Sequence, residues 1–369
     1  MELVLTAEQE DLRATVRKFL RAESPMTKVR AVVDGETDFD RALWRRLTGE
    51  LGLVALAIPE QYDGVGAGQV ERSIVLEEMG RALLPAPYLS TVLAADTLLA
   101  LDDESARAQL LPAIAAGESL ATVAIAEDTS RWAATDTRTI ATPDPDGWHL
   151  TGSKNLVLDG LTADLLIVLA NSPEGPAFFV VTGDAPGLTR APLVGLDPTR
   201  RFARLDLNET PAVHLTASDP VAALEQITDL ATLALAAESV GVHQQTLTMA
   251  VDYAKVRVQF GRYIGSYQSV KNLCVESYVD YELAYSVLRA AAWSADHDPA
   301  EFPRAVAHAR VTALPAAFQA AMRNVQVHGG IGYTWEHDAH LYYKRAKSNE
   351  LLLGSGISAR LALADRLGI

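Results

Sequence analysis

The groups in this sequence best suited to chemistry sit in two short stretches of its second half. RVQFGRYIGSYQSVKNL (Arg257 to Leu273) carries Arg257, Gln259, Phe260, Ile264 and Gln268, and VQVHGGIGYTWEHDAHLYYKRAK (Val325 to Lys347) carries Gln326, Gly329 and Gly330. Arg257 offers a permanently charged planar fork that matches phosphate oxygens. Gly329 and Gly330 lack Cβ atoms, so a ligand can approach their backbone closely. Gln268 and Gln326 both donate and accept hydrogen bonds, and Phe260 offers a face for stacking or packing. Taken singly, each has a plainer reading: an arginine in a surface ion pair, a glycine pair that turns the chain, two glutamines on solvated helix faces.

The elements that must position these groups follow from periodicity. From Thr6 to about Gly117 apolar residues recur at helical spacing, punctuated at IPEQYDGVGAG and LLPAPY, which predicts a helical first unit over residues 1–118. LATVAIAED, GWHLTGSKNLVL, DLLIVLA, PAFFVV and FARLDL are short runs rich in Val, Ile, Leu and Phe separated by turn formers. They predict a middle β unit, sandwich or barrel, over residues 119–217. After ASDPVA, helical periodicity returns from Leu224 to about Trp293 and from Pro303 to about Leu367, broken near the glycine pair, which predicts a helical third unit over residues 218–369. The fold class is α+β.

A chain of 369 residues, 49% of them hydrophobic, is long enough for two or three such units. Its formal net charge of -15, spread without acidic tracts, argues against nucleic acid and against an anionic membrane surface as partners. Cys274 is the only cysteine, which rules out an intrachain disulfide and a Cys-based structural zinc site and fits a reducing compartment. MELVLTAEQEDLRATVRKFL has no continuous apolar core of signal-peptide type, and LATLALAA is too short to span a bilayer, so a cytoplasmic location is expected.

Three stretches resemble the acyl-CoA dehydrogenase family. The Arg257 segment is similar to its Arg-x-x-Phe-Gly run followed by a Gln. The Gln326 segment is similar to its Gln-x-x-Gly-Gly-x-Gly run with the helix after it. LTGSKNLVLDG (Leu150 to Gly160) is similar to the β-unit strand and turn that keeps Gly-x-Lys. The resemblance covers essentially the whole chain. It implies an N-terminal helical domain, a middle β-barrel or sandwich domain and a C-terminal four-helix bundle that assembles into tetramers. It implies FAD as cofactor, lying across a dimer interface, with Arg257, Gln259, Phe260, Ile264, Gln268, Gln326, Gly329 and Gly330 donated to the flavin of the neighbouring subunit.

The residues that would serve this chain's own flavin depart from the family pattern. Its Thr-Glu-Pro signature becomes AEDTSRWAA, with Ala126 in place of the Thr, and its Trp-x-Thr becomes Leu156 and Leu158. A Leu cannot donate to a flavin heteroatom. The catalytic Glu would precede Gly354-Ser355, where Leu353 stands, and Ile357 replaces a polar cofactor contact. The family's second location for the base, aligned through Gly241, falls on Ala231, with Thr232 where an Arg would follow. A positioned general base is worth about 10² to 10⁴ in rate, roughly 3 to 5 kcal/mol, which a Leu cannot supply. Glu350, one turn before Leu353, and Glu238, two turns after Ala231, are the remaining candidates. Their plainer readings place Glu350 beside Lys347 and Glu238 at a subunit seam.

This asymmetry resembles the non-catalytic (β) subunit of actinobacterial α2β2 heteromeric acyl-CoA dehydrogenases. That resemblance implies a homologous catalytic partner carrying the base, an acyl-CoA substrate that can be bulky, such as a steroid side chain, and electron-transfer flavoprotein as a possible acceptor. Two alternatives remain open at this point: a homomeric flavoenzyme of the same fold, with a relocated base or with oxidase or monooxygenase chemistry, and a non-redox scaffold.

Overall fold

Thr6 starts the first helix with a reciprocal cap: its hydroxyl accepts from the Gln9 N–H at 3.2 Å while the Gln9 side chain accepts from the Thr6 N–H at 3.1 Å. The computed structural model describes residues 4–35, 38–145 and 147–369. Six helices come first: α1 (Ala7–Glu23), α2 (Met26–Val33), α3 (Arg41–Arg45), α4 (Gln69–Ala82), α5 (Tyr88–Ala100) and α6 (Glu104–Ala115). Seven strands follow: β1 (Ala121–Ala124), β2 (Ile140–Asp144), β3 (Gly147–Leu158), β4 (Leu165–Ser172), β5 (Gly175–Thr182), β6 (Leu188–Leu193) and β7 (Phe202–Leu215). Then come α7 (Pro220–Val256), a short hairpin of β8 (Val258–Gln259) and β9 (Arg262–Tyr263), and α8 (Gln268–His297), α9 (Phe302–His328), α10 (Ala339–Leu351) and α11 (Gly356–Leu367).

The strands close on themselves. Pairing runs β4-β2-β3-β7-β5 and returns to β4, with β1 added parallel to β4 and β6 antiparallel to β7. The weakest link, β2 to β4, is reinforced by the Asn171 amide, which donates to the Thr137 carbonyl at 2.6 Å. The unbroken apolar runs DLLIVLA and PAFFVV have a physical cause. Leu166, Val168, Phe179 and Val181 point into the barrel core, while Ile167, Leu169, Phe178 and Val180 join the larger core shared with the helices. Strands covered on both faces lose the polar half of the period-two pattern.

The helical units meet at α4 and α7, where Gly80 faces the backbone at Glu238 and Gly241 faces the backbone at Glu77. A Cβ at either glycine would overlap the opposing carbonyl oxygen, so the close approach of the two helices depends on both. That crossing fixes the depth at which α7 presents Ala231, Leu235 and Glu238.

Candidate functional site

The two positions expected to carry a base, far apart in sequence, line one cavity. Ala231 and Leu235 come from α7, Leu352 and Leu353 from the turn after α10, Ala126 from the end of β1, and Leu156 and Leu158 from the end of β3. Trp132 and Leu89 complete the apolar wall, and the cavity measures ≈ 30 Å³, the scale of an ordered water or two. Its polar groups are the hydroxyls of Ser90, Thr122 and Ser130, and no carboxylate lines it.

The turn that carries Leu353 is held in place by Arg310 from outside the cavity and by Ser130 from its wall. Arg310 donates to the Leu352 carbonyl at 3.1 Å and to the Gly354 carbonyl at 3.2 Å, and the Ser130 hydroxyl donates to the Leu351 carbonyl at 2.8 Å. Ser355 caps α11 by accepting from the Ser358 N–H at 3.2 Å. Between these restraints Leu353 takes a left-handed backbone, φ 62°, with its side chain 8% exposed. That backbone costs a non-glycine residue about 1–2 kcal/mol. The turn therefore aims a side chain at Ala231 at some cost, and the side chain it aims is inert.

The Gly-x-Lys stretch does scaffold work beside this cavity. Lys154, fully buried on β3, donates to Glu127 Oε1 at 2.6 Å and to the Ile125 carbonyl at 3.2 Å. Glu127 also accepts from the Thr139 N–H at 3.0 Å and the Arg138 N–H at 2.8 Å. Burial pulls the ammonium down to about 8, with Glu127 holding it from falling further. The cluster pins the strand end that sets Ala126, where the family resemblance leads one to expect a Thr.

Neither remaining carboxylate reaches the cavity. Glu350 accepts from the Lys347 ammonium at 2.7 Å, as its plainer reading has it. Glu238 is not at an exposed seam: it is 5% exposed and inside the chain. Its Oε1 accepts from Arg345 at 2.9 Å and its Oε2 from Arg200, while Arg345 also donates to Asp197 at 2.6 Å and to the Thr199 hydroxyl at 2.6 Å. Burial raises the Asp197 carboxyl, but Arg345 and Arg200 outweigh it and hold the group below the usual carboxylate range. This network lines a neighbouring cavity of ≈ 30 Å³ together with Leu158 and Asp159.

Asp159, Arg200, Asp197, Arg310 and Arg345 are site residues that periodicity and resemblance did not single out. Asp159 follows Leu158 and accepts from the Ser90 hydroxyl at 2.6 Å, with its carboxyl pushed up by burial to about 6. Its Asp-Gly pair reads in sequence as a turn and nothing more. It is the carboxylate nearest the apolar cavity through a hydrogen bond, because Ser90 lines that cavity.

The phosphate-suited residues lie elsewhere, at one end of the C-terminal helices, and face outward. Phe260 and Gly261 form the two-residue turn between β8 and β9, both with positive φ (52° and 79°), and Phe260 is 91% exposed. Gln259 points its amide to the Val258 carbonyl at 2.9 Å and accepts at its own carbonyl from the Tyr267 hydroxyl at 3.2 Å. Ile264 is half-buried and packs with Val327, Ala254 and Leu273, which ties the hairpin to the Gln326–Gly330 segment. Among the described residues, the side chains of Arg257, Gln268 and Gln326 make no hydrogen bond or ion pair within the chain, so the surface ion pair of the plainer Arg257 reading does not form. An added Cβ on Gly330 would meet nothing within 4 Å, so packing inside this chain does not require glycine there. Gln326 lines a groove of ≈ 580 Å³ with Met322, Tyr333, His340 and Tyr343.

These two regions answer differently to FAD. The apolar cavity offers no side-chain donor at Ala126, Leu156 or Leu158 and a volume far below a flavin ring, so its residues do not fit the group. The outward set offers an unpaired guanidinium, two free amides, an exposed aromatic and a groove in the range of small-molecule sites. It fits the phosphate and adenosine parts of a dinucleotide that approaches from outside this chain. Among the described residues no helix is long and apolar enough to cross a membrane, and no three His, Cys, Asp or Glu residues are grouped so as to hold a metal ion.

Comparison with known proteins bears on this geometry. Residues 6–118 match the family description "Acyl-CoA dehydrogenase, N-terminal domain" and residues 222–368 match "Acyl-CoA dehydrogenase, C-terminal domain". The chain is 35% identical over 351 residues to acyl-CoA dehydrogenase IpdE2 of Mycobacterium tuberculosis, covering 94% of this chain and 93% of that protein. Among solved structures, a variant of the Tcur3481-Tcur3483 steroid ACAD matches with a TM-score of 0.89 at 31% identity over 98% of each chain. The ChsE4-ChsE5 complex from Mycobacterium tuberculosis matches with a TM-score of 0.90 at 29% identity, covering 100% of this chain and 99% of that one.

Proposed function

The chain belongs to the acyl-CoA dehydrogenase family, a family of FAD-dependent oxidoreductases, and from that premise we propose that it is the non-catalytic subunit of a heteromeric complex. The complex introduces an α,β double bond into an acyl-CoA, and the catalytic base comes from a homologous partner in an α2β2 tetramer. One observation carries the reading. Leu353, Ala231, Ala126, Leu156 and Leu158 converge on one small apolar cavity, while Arg257, Phe260, Gln268, Gln326 and Gly330 stand exposed. A self-sufficient subunit would need the first set polar. A pure scaffold would have no use for the second set unpaired.

Bound FAD supplies the hydride acceptor of this oxidation. In this chain, Arg257 would hold pyrophosphate oxygens, Gln268 and Gln326 the adenosine half, and Phe260 would pack at the edge of the partner's site. The reading takes the three units as residues 1–118, 119–217 and 218–369, with the third forming the four-helix bundle and the interface. The steroid ACAD relative supports a bulky CoA-linked substrate such as a steroid side chain, for which a second, closed active site is unnecessary. The complex is placed in the cytoplasm, with electron-transfer flavoprotein as the acceptor.

The test is flavin content and acyl-CoA oxidation of the complex co-expressed from this chain and its base-bearing partner. Arg257→Ala removes a charge-assisted phosphate contact worth about 1.5 to 3 kcal/mol, so FAD affinity should fall roughly ten- to a hundredfold. This chain purified alone in a fully flavinated, active form would overturn the proposal.

A second reading draws on Asp159. A homomeric enzyme with a relocated base would have to use a carboxyl with a raised pKa close to the cavity, and Asp159 is that group. It lies behind the Ser90 hydroxyl and does not line the cavity, which favours the heteromeric reading. Loss of turnover in Asp159→Asn at full flavin occupancy would reverse that preference.

A further inference from the structure

A third region of the molecule is built for an anion, and neither half of the flavin geometry uses it. α1, the turn after it at Ser24 and Pro25, α4 and α7 line an open pocket of ≈ 370 Å³ beside Tyr342 of α10. Arg17 and Arg21 enter it from α1, Arg81 from the last turn of α4, and Gln245, Thr248 and Asp252 from α7. The volume lies within the range of sites that hold small molecules.

The charges in this pocket are not balanced by the chain. Arg17 is satisfied: its Nε and Nη2 donate to the two oxygens of buried Glu78 at 2.8 and 2.6 Å. Glu78 is thereby held to Arg17 and makes no hydrogen bond to Arg81 or Arg21. Among the described residues neither Arg21 nor Arg81 has a side-chain hydrogen-bond or ion-pair partner, and the Arg81 Nε is buried with no acceptor. Burial, then Arg17 and Arg21 close by, pull the Arg81 guanidinium below its ordinary range, with Glu78 opposing them in part. The C-terminal end of α4 offsets part of the Arg81 charge, and with the Nε closed off it is the Nη groups of Arg81 that are left accessible without a partner. Asp252, the remaining carboxylate of the lining, is exposed.

We propose that this pocket binds a small phosphomonoester, with the guanidinium groups of Arg81 and Arg21 on the phosphate oxygens and the α7 wall facing a hydroxylated body. The lining sets Arg17, Arg21 and Arg81 against Glu78 and Asp252, a formal excess of one positive charge, and Asp252 is exposed to solvent, so the two unpaired forks dominate the field inside the pocket. A single carboxylate brings one negative charge, whereas a phosphomonoester carries about 1.5 to 2 near neutral pH. Planar forks arriving from two different helices match a tetrahedral group with three free oxygens. On the α7 wall Gln245 can exchange hydrogen bonds with hydroxyls, Thr248, whose hydroxyl donates to the Gln244 carbonyl at 2.8 Å, can accept from one, and Asp252 accepts from a sugar hydroxyl while disfavouring a second phosphate.

The experiment is isothermal titration of the full-length protein, in the assembly in which it purifies, at an ionic strength held constant with chloride. Inorganic phosphate and ribose 5-phosphate are the probes. Both should bind saturably, ribose 5-phosphate the tighter. Arg81→Met, which keeps the packed stem, and Arg21→Ala, on an exposed residue, should each weaken binding by about tenfold or more. Arg360→Ala, on α11 and outside the pocket, should leave it unchanged. Absence of saturable binding, rejection of ribose 5-phosphate, or binding that survives Arg21→Ala at wild-type strength would each overturn the proposal. Arg21→Ala keeps the test decisive if Arg81→Met fails to fold. FAD content is read in the same samples and should not change, which separates this site from the flavin interface.

Discussion

Glu238→Gln separates structure from catalysis most sharply in this chain. Glu238 lies on the same face of α7 as Ala231, two turns on, and is the natural suspect for a displaced base. Its two oxygens each accept from a different buried guanidinium, Arg345 at 2.9 Å and Arg200. A Gln retains one acceptor oxygen and turns an NH₂ toward the other arginine. One guanidinium therefore loses its acceptor and meets a donor, in a place where its side chain is almost fully buried. Breaking one partner out of a buried ion pair typically costs about 3–5 kcal/mol. Asn349, Asp197 and Thr199 can re-engage the arginines in part, which places the expected loss near the lower figure. At about 1.3 °C per kcal/mol for a chain of this size, the thermal midpoint should fall by roughly 4 °C. The assay pairs a circular dichroism melt with acyl-CoA oxidation by the co-expressed complex, run well below both transitions. Turnover per flavin should stay near wild type while the midpoint drops. A folded, fully flavinated mutant whose turnover collapses would make Glu238 the base and refute the assignment. An unchanged midpoint would refute the energetic argument.

Leu353→Glu should yield no dehydrogenase activity in this chain and should lower its stability by about 2–4 kcal/mol, since a carboxyl replaces a buried apolar side chain beside Ala231 and Trp132; substrate-dependent flavin bleaching in the mutant would show that the site lacked only its base. Gly241→Ala should cost more than 3 kcal/mol or prevent folding, because its Cβ overlaps the Glu77 carbonyl oxygen at the α4–α7 crossing; a chemical denaturation midpoint within error of wild type would contradict the packing. Asp159 titrates near 6 in the folded chain against 3.8 as its ordinary value, so it favours folding below about pH 4 and that contribution is lost as pH rises through about 6. Asp159→Asn keeps an oxygen to accept from Ser90 and should gain stability relative to wild type across that window, a trend that melts at pH 4, 5, 6 and 7 would detect.

Much of the fold is legible in the sequence because its signals are local. Helical spacing marks α1, α4, α7, α8 and α9, and valine- and phenylalanine-rich runs mark the strands. Whether those strands form a sandwich or a barrel is not legible, because closure depends on pairings such as Ile140 with Asn171, which no local pattern encodes. The outward residues Arg257, Phe260 and Gln326 can be found because they stand in runs that resemble the family's motifs. The partners that fix the inert turn cannot: Arg310 reaches Leu352 and Gly354 across more than forty residues of chain. The buried network joining Arg200, Asp197, Glu238 and Arg345 reads in sequence as ordinary surface charge, since burial of an ion pair is a tertiary property. Sequence reasoning accordingly places Glu238 at a seam when it is in the core.

Two local costs in this chain have no return within it, and they fall on opposite sides of the proposed division of labour. Leu353 holds a left-handed backbone under clamps from Arg310 and Ser130, the kind of strain that persists where surrounding structure over-determines it. A Leu gains nothing from that geometry that a relaxed turn would not give, so the turn is built for a position and not for this side chain. Phe260 also holds positive φ and presents its ring almost wholly to solvent, forgoing the roughly 1.5–3 kcal/mol that burial of a phenyl side chain yields. A hairpin tip with Asn or Asp in its place would be less strained and more soluble. The strained, exposed Phe260 makes physical sense when a second subunit covers it. Enrichment of the complex should then show directly: hydrogen exchange of the Val258–Tyr263 hairpin amides should slow on assembly with the partner, while amides of the already closed Leu352–Ser355 turn should be unaffected. Equal protection of the hairpin in the isolated chain and in the complex would remove the ground for treating it as the donated half of a shared flavin site.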